Sequence, residues 1–289
     1  MAYDSVLIND IDNDWENANN WDGGVPATGE TILIPEGDHV ITEHVDQSGS
    51  VNDVTICVEE QFHGQIGTAA APLKFGASSG STLYYNGKRC QDFHVSCDLA
   101  AAYILDTHPD QASVSIEGGE TTLLVVHGGQ GLQLAASATC TTLIVDGRTA
   151  IVDIPTGNDI ATLTILLGLA KMATSITATT GVINVMNGAL ELTGSSKTYA
   201  ALNLYGSGAL AELNCTGSTI TLITAYAGVV DGRKSVVDDI TITNATAYSG
   251  ASLLYGKHII ETNAPTIYGA TYSGYSAATI KTPQQAGPV

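Results

Sequence analysis

The chain has 289 residues, of which only 13% are charged, with 29 acidic against 10 basic side chains and a formal charge of −19. That balance argues against a nucleic-acid ligand, because phosphate contacts need a basic footprint. No apolar run is long enough to make a spanning helix, so no membrane partner is expected. Five cysteines spread over the chain (Cys57, Cys90, Cys97, Cys140, Cys215) make an odd set without a disulfide framework, so reduced thiols are expected.

Residues 1–30 form a first segment, rich in Asn, Asp and Gly, that holds both tryptophans, Trp15 and Trp21. The opening Met1–Asp10 lacks the basic and apolar regions of an export signal, so the expected site of synthesis is a cytoplasm. End units of repetitive folds are atypical in sequence, and two indoles plugging an aliphatic column fit such a cap. The alternative use of Trp15 and Trp21 is as a docking site for a neighbouring subunit. The run Asp10–Glu16 resembles alternating calcium ligands, but position six is not Gly and position twelve is Trp21, so it is not an EF-hand.

Residues 31–115 read as irregular first coils with loops: strands are expected around Thr31–Thr42, Val54–Val58, Gly64–Gly67, Pro72–Phe75, Thr82–Tyr85 and Phe93–Cys97. Cys57, His63, Cys90, His94 and Cys97 have ligand chemistry, but Cys90 and Cys97 stand further apart than the paired ligands of structural zinc sites. No metal and no other cofactor is expected.

Residues 116–260 carry a short-period repeat, in which a short apolar strand is closed by a small or turn residue. Leu143–Gly147, Leu163–Gly168, Ile183–Gly188, Leu202–Gly206 and Leu222–Gly228 show it most plainly. A second strand follows in each repeat, as in Ala189–Leu192 and Ala209–Leu213. Ile160–Met172 is the best helix candidate, yet its Thr, Ile and Gly168 favour a strand. One repeat cannot close a core, whereas stacked repeats bury a continuous column at about 1.5–3 kcal/mol per aliphatic side chain. The expected fold is therefore all-β, a parallel β-helix (β-solenoid), with Leu143, Leu163, Ile183, Leu202, Leu222 and Ile240 stacked as an inner ladder. The competing arrangement is an antiparallel two-sheet sandwich. Residues 261–289 interleave Tyr, Ser and Gly without a core period and read as an extended tail, in which Tyr268, Tyr272 and Tyr275 suit contact with a partner.

Trp15, Asn20-Trp21, Gly24-Val-Pro26 and Thr31-Ile-Leu-Ile-Pro35, with Gly64-Gln-Ile-Gly67 and Pro72-Leu73, resemble uncharacterised β-helical structural proteins of tailed bacteriophages, and are also similar to some bacterial surface β-solenoids. The resemblance covers roughly the first quarter of the chain. It implies a β-solenoid structural protein and transfers no catalytic residue.

Glycoside hydrolysis needs two carboxyl groups about 5–9 Å apart, and equivalent places in neighbouring coils meet that spacing. Glu191 and Glu212 are the one such pair, the weak catalytic candidates of a chain otherwise read as no enzyme. The expected function is that of a virion structural protein, a capsid decoration, cement or fibre-like subunit. Its expected partners are other virion proteins, such as a major capsid protein, and its own copies in a homotrimer. A surface adhesin or glycan-binding solenoid is the alternative, and a tailspike-type depolymerase the second.

Overall fold

A computed structural model describes residues 2–9, 11–76, 80–87, 92–107, 114–174, 181–234, 238–274 and 282–285. The fold is all-β: parallel coils stack into a β-solenoid, and the described residues hold only a single short 3-10 turn, Ala18–Asn20. The chain divides into two compact units, Met1–Leu143 with Thr149–Asp153 and Ile144–Arg148 with Ile154–Val289.

In the first unit the strands Thr31–Ile34, Thr55–Val58, Thr82–Tyr85, Leu99–Ile104 and Glu120–Val126 pair in parallel, one after another. Following one position through the register gives Leu33, Cys57, Tyr84, Tyr103 and Val125. The steps are uneven, longest from Cys57 to Tyr84 and shortest from Tyr84 to Tyr103. These are the irregular spacers read from residues 31–115. Ser5–Leu7 caps the unit, pairing in parallel with Thr31–Ile34 and antiparallel with Trp21–Asp22.

The cap around it is dense. Trp15 is fully buried and Trp21 is 4% exposed; their rings meet edge-on at 4.7 Å, and Phe75 meets Trp15 at 5.9 Å. Trp21 Nε1 donates to the Trp15 carbonyl at 2.8 Å. Buried Asn20 serves as the hub, accepting from the Ile11 N–H at 3.0 Å and donating to the Asp14 carbonyl at 2.8 Å and to Asp12 Oδ1 at 3.2 Å.

The second unit is regular. Asp159–Met172, the segment weighed as a helix, is a strand. Its inward Leu163 aligns with Ile183, then Leu202, Ile223 and Ala245, in nearly equal steps along the chain. All five are buried.

The structure corrects the expected inner ladder at two places. Ile223, not Leu222, faces the core, and Leu222 is 38% exposed. Side chains alternate along a strand, so a one-residue shift of register moves a residue to the opposite face, and Leu222-Ile223 offers two equally apolar choices. Ile240 is buried, but at the head of the strand Ile240–Tyr248, paired with Ile259.

Residues 261–274 differ from an extended tail. Thr266–Tyr268 pairs in parallel with Thr246–Tyr248, and Thr271–Ser273 with Ser252–Leu254. Preceding strands template these short ones, with Ile267 supplying a buried anchor.

Candidate functional site

Each coil of the second unit has two strands with an outward face, and the two faces differ in chemistry. The first belongs to Asp159–Met172, Val182–Val185, Thr198–Leu204, Thr219–Ala225, Ile240–Tyr248 and Thr266–Tyr268. Its outward positions align in columns. One column runs Thr164, Asn184, Asn203, Thr224, Thr246, Thr266. Within it Asn203 Nδ2 donates to Asn184 Oδ1 at 3.1 Å. Beside it runs Thr162, Val182, Ala201, Leu222, Asn244, continued by Asn263, whose Nδ2 donates to Asn244 Oδ1 at 2.9 Å.

The third column lies at the end of each strand. Tyr205 follows Leu204, Tyr226 follows Ala225, and Tyr248 aligns with Tyr268. The four rings stack nearly parallel, with centroids 5.2, 5.0 and 4.9 Å apart and interplanar angles of 13°, 6° and 6°. Such separations at near-parallel planes mean offset stacking, the favoured geometry for aromatic pairs, worth about 0.5–1.5 kcal/mol each beyond burial. Tyr205 and Tyr226 remain 42% and 44% exposed. Leu166 and Met186, which follow the paired Ile165 and Val185, occupy the same place in the two preceding coils.

Close coil contact at the adjoining corner lets the ladder form. Gly206 follows Tyr205, and a Cβ there would lie 1.9 Å from the Met186 carbonyl oxygen. Gly228, at φ +82°, has the Ala209 carbonyl oxygen 2.4 Å from where its Cβ would be. Any larger residue would hold the coils apart. Across the three columns there is no acidic or basic side chain.

The second face belongs to the strands Ala189–Leu192, Leu210–Leu213 and Gly228–Gly232. Here the outward column is Lys171, Glu191, Glu212, Asp231, then Leu254 and Ser273. The expected acid pair is thus in direct register. Its carboxylates are engaged: Glu191 Oε1 accepts from Asn214 Nδ2 at 2.8 Å, and Glu212 Oε1 accepts from Lys234 Nζ. Arg233 grips Asp231 through Nε and Nη2 at 3.0 and 2.7 Å, which lowers the Asp231 pKa. The hydrogen bond to Glu212 raises the Lys234 pKa.

The remaining candidates are dispersed. Trp15 and Trp21, offered as docking residues, are instead core of the cap, because their rings are packed on each other and on Phe75. Tyr268 is the last rung of the ladder. Tyr272 is half-buried, edge-on to Tyr255 at 5.7 Å and donating its hydroxyl to Glu261 Oε2 at 3.0 Å; burial pushes its pKa up. Tyr275 and Cys90 lie outside the described residues. His63 pairs with Asp38 and His94 Nδ1 with Glu117 at 2.6 Å. Burial pushes the Cys97 thiol up to about 12. Cys57, Cys97, Cys140 and Cys215 take part in no disulfide. Asp12 and Asp14 of the calcium-like run serve the cap's own hydrogen bonds. Among the described residues, no three His, Cys, Asp or Glu side chains gather as metal ligands, and no helix is long and apolar enough to cross a membrane.

The first unit has its own open groove of about 570 Å³, lined by residues including Tyr3, Glu36, Glu59, Tyr84 and Leu105. Tyr84 stacks on Tyr103 at 5.0 Å, a two-rung counterpart of the longer ladder.

The ladder is the feature that sequence reasoning missed. Its signal was present: Tyr205, Tyr226, Tyr248 and Tyr268 recur at the coil period, each shortly before a corner glycine (Gly206, Gly228, Gly250 and Gly269). No protein-family model, curated protein or solved structure matches this chain.

Proposed function

We propose that this protein is a non-enzymatic structural component of a virus particle, a bacteriophage capsid decoration, cement or fibre-like subunit that works by surface contacts. The observation that carries the reading is the uncharged first face of the second unit. In a chain of formal charge −19, the three outward columns of this face hold neither acid nor base. Contact surfaces are depleted in charge at their centre and enriched in Tyr, whose large ring loses little side-chain entropy on binding. The resemblance of residues 15–73 to phage solenoids agrees with it. Closed symmetry is the default for self-associating chains, and a trimer is the form proposed.

Mass spectrometry and immunogold labelling of purified particles test the assignment. Stoichiometric presence on a capsid or tail supports it, and absence from particles overturns it. A monomeric mass in light scattering at micromolar concentration would count against the trimer alone.

A surface glycan-binding solenoid is the second reading, favoured by the tyrosine ladder. A tailspike-type hydrolase would depend on Glu191 and Glu212, and the lysine and asparagine contacts of that pair speak for structure.

A further inference from the structure

We propose that the face bearing Tyr205, Tyr226, Tyr248 and Tyr268 binds an extended, neutral glycan chain. The proposal rests on the contact-surface reading and names the ligand of that surface. Three observations carry it.

The first is charge. A partner that docks through charged side chains needs counter-ions on the surface it meets. The ladder face carries no charge to meet them. A nucleic acid or an acidic polysaccharide is disfavoured by the overall charge. A neutral, hydroxyl-rich chain needs neither sign.

The second is the chemistry of the columns. The ladder offers apolar ring surface and, in the next column, the hydroxyls and amides of Asn203, Thr224 and Thr246. A pyranose ring has the same division, with C–H groups on its faces and hydroxyls at its edge. Aromatic rings take up the former, and side-chain amides and hydroxyls the latter. Among the described residues, no hydrogen bond occupies the four phenolic hydroxyls.

The third is repetition. The rungs recur every 4.9–5.2 Å, close to the length of one sugar unit in an extended chain, so successive units meet equivalent groups. Ring stacking fixes the side chains before a ligand arrives, which limits the entropy lost on binding.

The test is isothermal titration calorimetry of the full chain with cellohexaose, chitohexaose and linear β-1,4-mannohexaose, with hyaluronan fragments as an acidic comparison. Binding of at least one neutral hexaose is expected. Tyr226→Ala should weaken it at least tenfold and Tyr226→Phe, which keeps the ring, by less. Glu212→Gln, on the other face, should leave it unchanged. Circular dichroism melts identify any variant that fails to fold, and the Phe variant then decides.

No heat with any neutral hexaose at millimolar concentration overturns the proposal. So does binding that Tyr226→Ala and Tyr226→Phe leave intact, or stronger binding of the acidic fragments. Self-association in sedimentation that disappears in Tyr226→Ala would assign the face to a second copy and also overturn it. Particle mass spectrometry reports separately on the virion reading, so failure of one is distinguishable from failure of the other.

Discussion

The two outward faces of the second unit share the same coils and the same period, and each lies over buried apolar residues, yet they solve stacking differently. On the ladder face, like residues sit on like residues and gain from it: tyrosine on tyrosine, asparagine on asparagine. On the other face, aligned positions put Glu191 beside Glu212 and Glu212 beside Asp231. Like charges opposite one another destabilise a sheet, and that column recruits Lys171, Asn214, Arg233 and Lys234 to offset the repulsion. A parallel stack rewards identity for neutral side chains and penalises it for charged ones.

This contrast can be broken in graded steps. Leu202→Ala removes a fully buried side chain beneath the ladder strands. It should destabilise the protein by about 2–5 kcal/mol in chemical denaturation, the largest effect expected, and equally at low and high salt. Arg233→Ala leaves Asp231, a buried carboxylate, without its guanidinium. The expected loss is smaller, because the guanidinium is well exposed and solvent screens the pair. Because the folded Asp231 pKa lies below its ordinary value, the pairing adds stability above the unfolded carboxylate range, near pH ~3.9. That stability disappears as pH falls through the folded value. The acid limb of a stability–pH curve should therefore be shallower in Arg233→Ala than in the parent.

Tyr226→Ala removes the second rung and both of its stacking contacts. A loss of about 1–3 kcal/mol is expected, about 0.5–1.5 kcal/mol for each of the two contacts, with no change in the acid limb, which separates it from the arginine variant. Smallest should be Glu191→Gln with Glu212→Gln, within about 0.5 kcal/mol in thermal melts. Its residual effect should fade with added salt, since Lys234 is well exposed.

Much of the architecture was legible because one period repeats over many coils, and a repeated apolar strand has few folds open to it. Most strands between Thr31 and Ser96 were readable without a regular period, because short apolar alternations stand between turn residues. Register was less so: Leu222 and Ile223 are indistinguishable to a hydrophobic pattern, and only neighbouring coils decide between them. The end of the stack was misjudged because residues 266–273 hold a single strongly apolar side chain, Ile267, and take their conformation from the strands before them. The pairing of Glu191 with Glu212 was visible in the spacing, whereas their partners were not. Lys234 reaches Glu212 from the following coil, through a loop whose path no local pattern reveals. The tyrosine ladder was written in the sequence at the coil period, but single aromatic residues at strand ends do not stand out until the coils are aligned.

The corner glycines carry an implication for how such a surface changes over generations. Because Gly206 and Gly228 let each coil sit directly on the one before it, a duplicated coil would bring its own strand, corner and tyrosine as one inheritable block. The ladder would gain a rung without any existing residue having to change. Its reach would then be set by copying, an integer at a time, rather than by the slow refinement of a pocket.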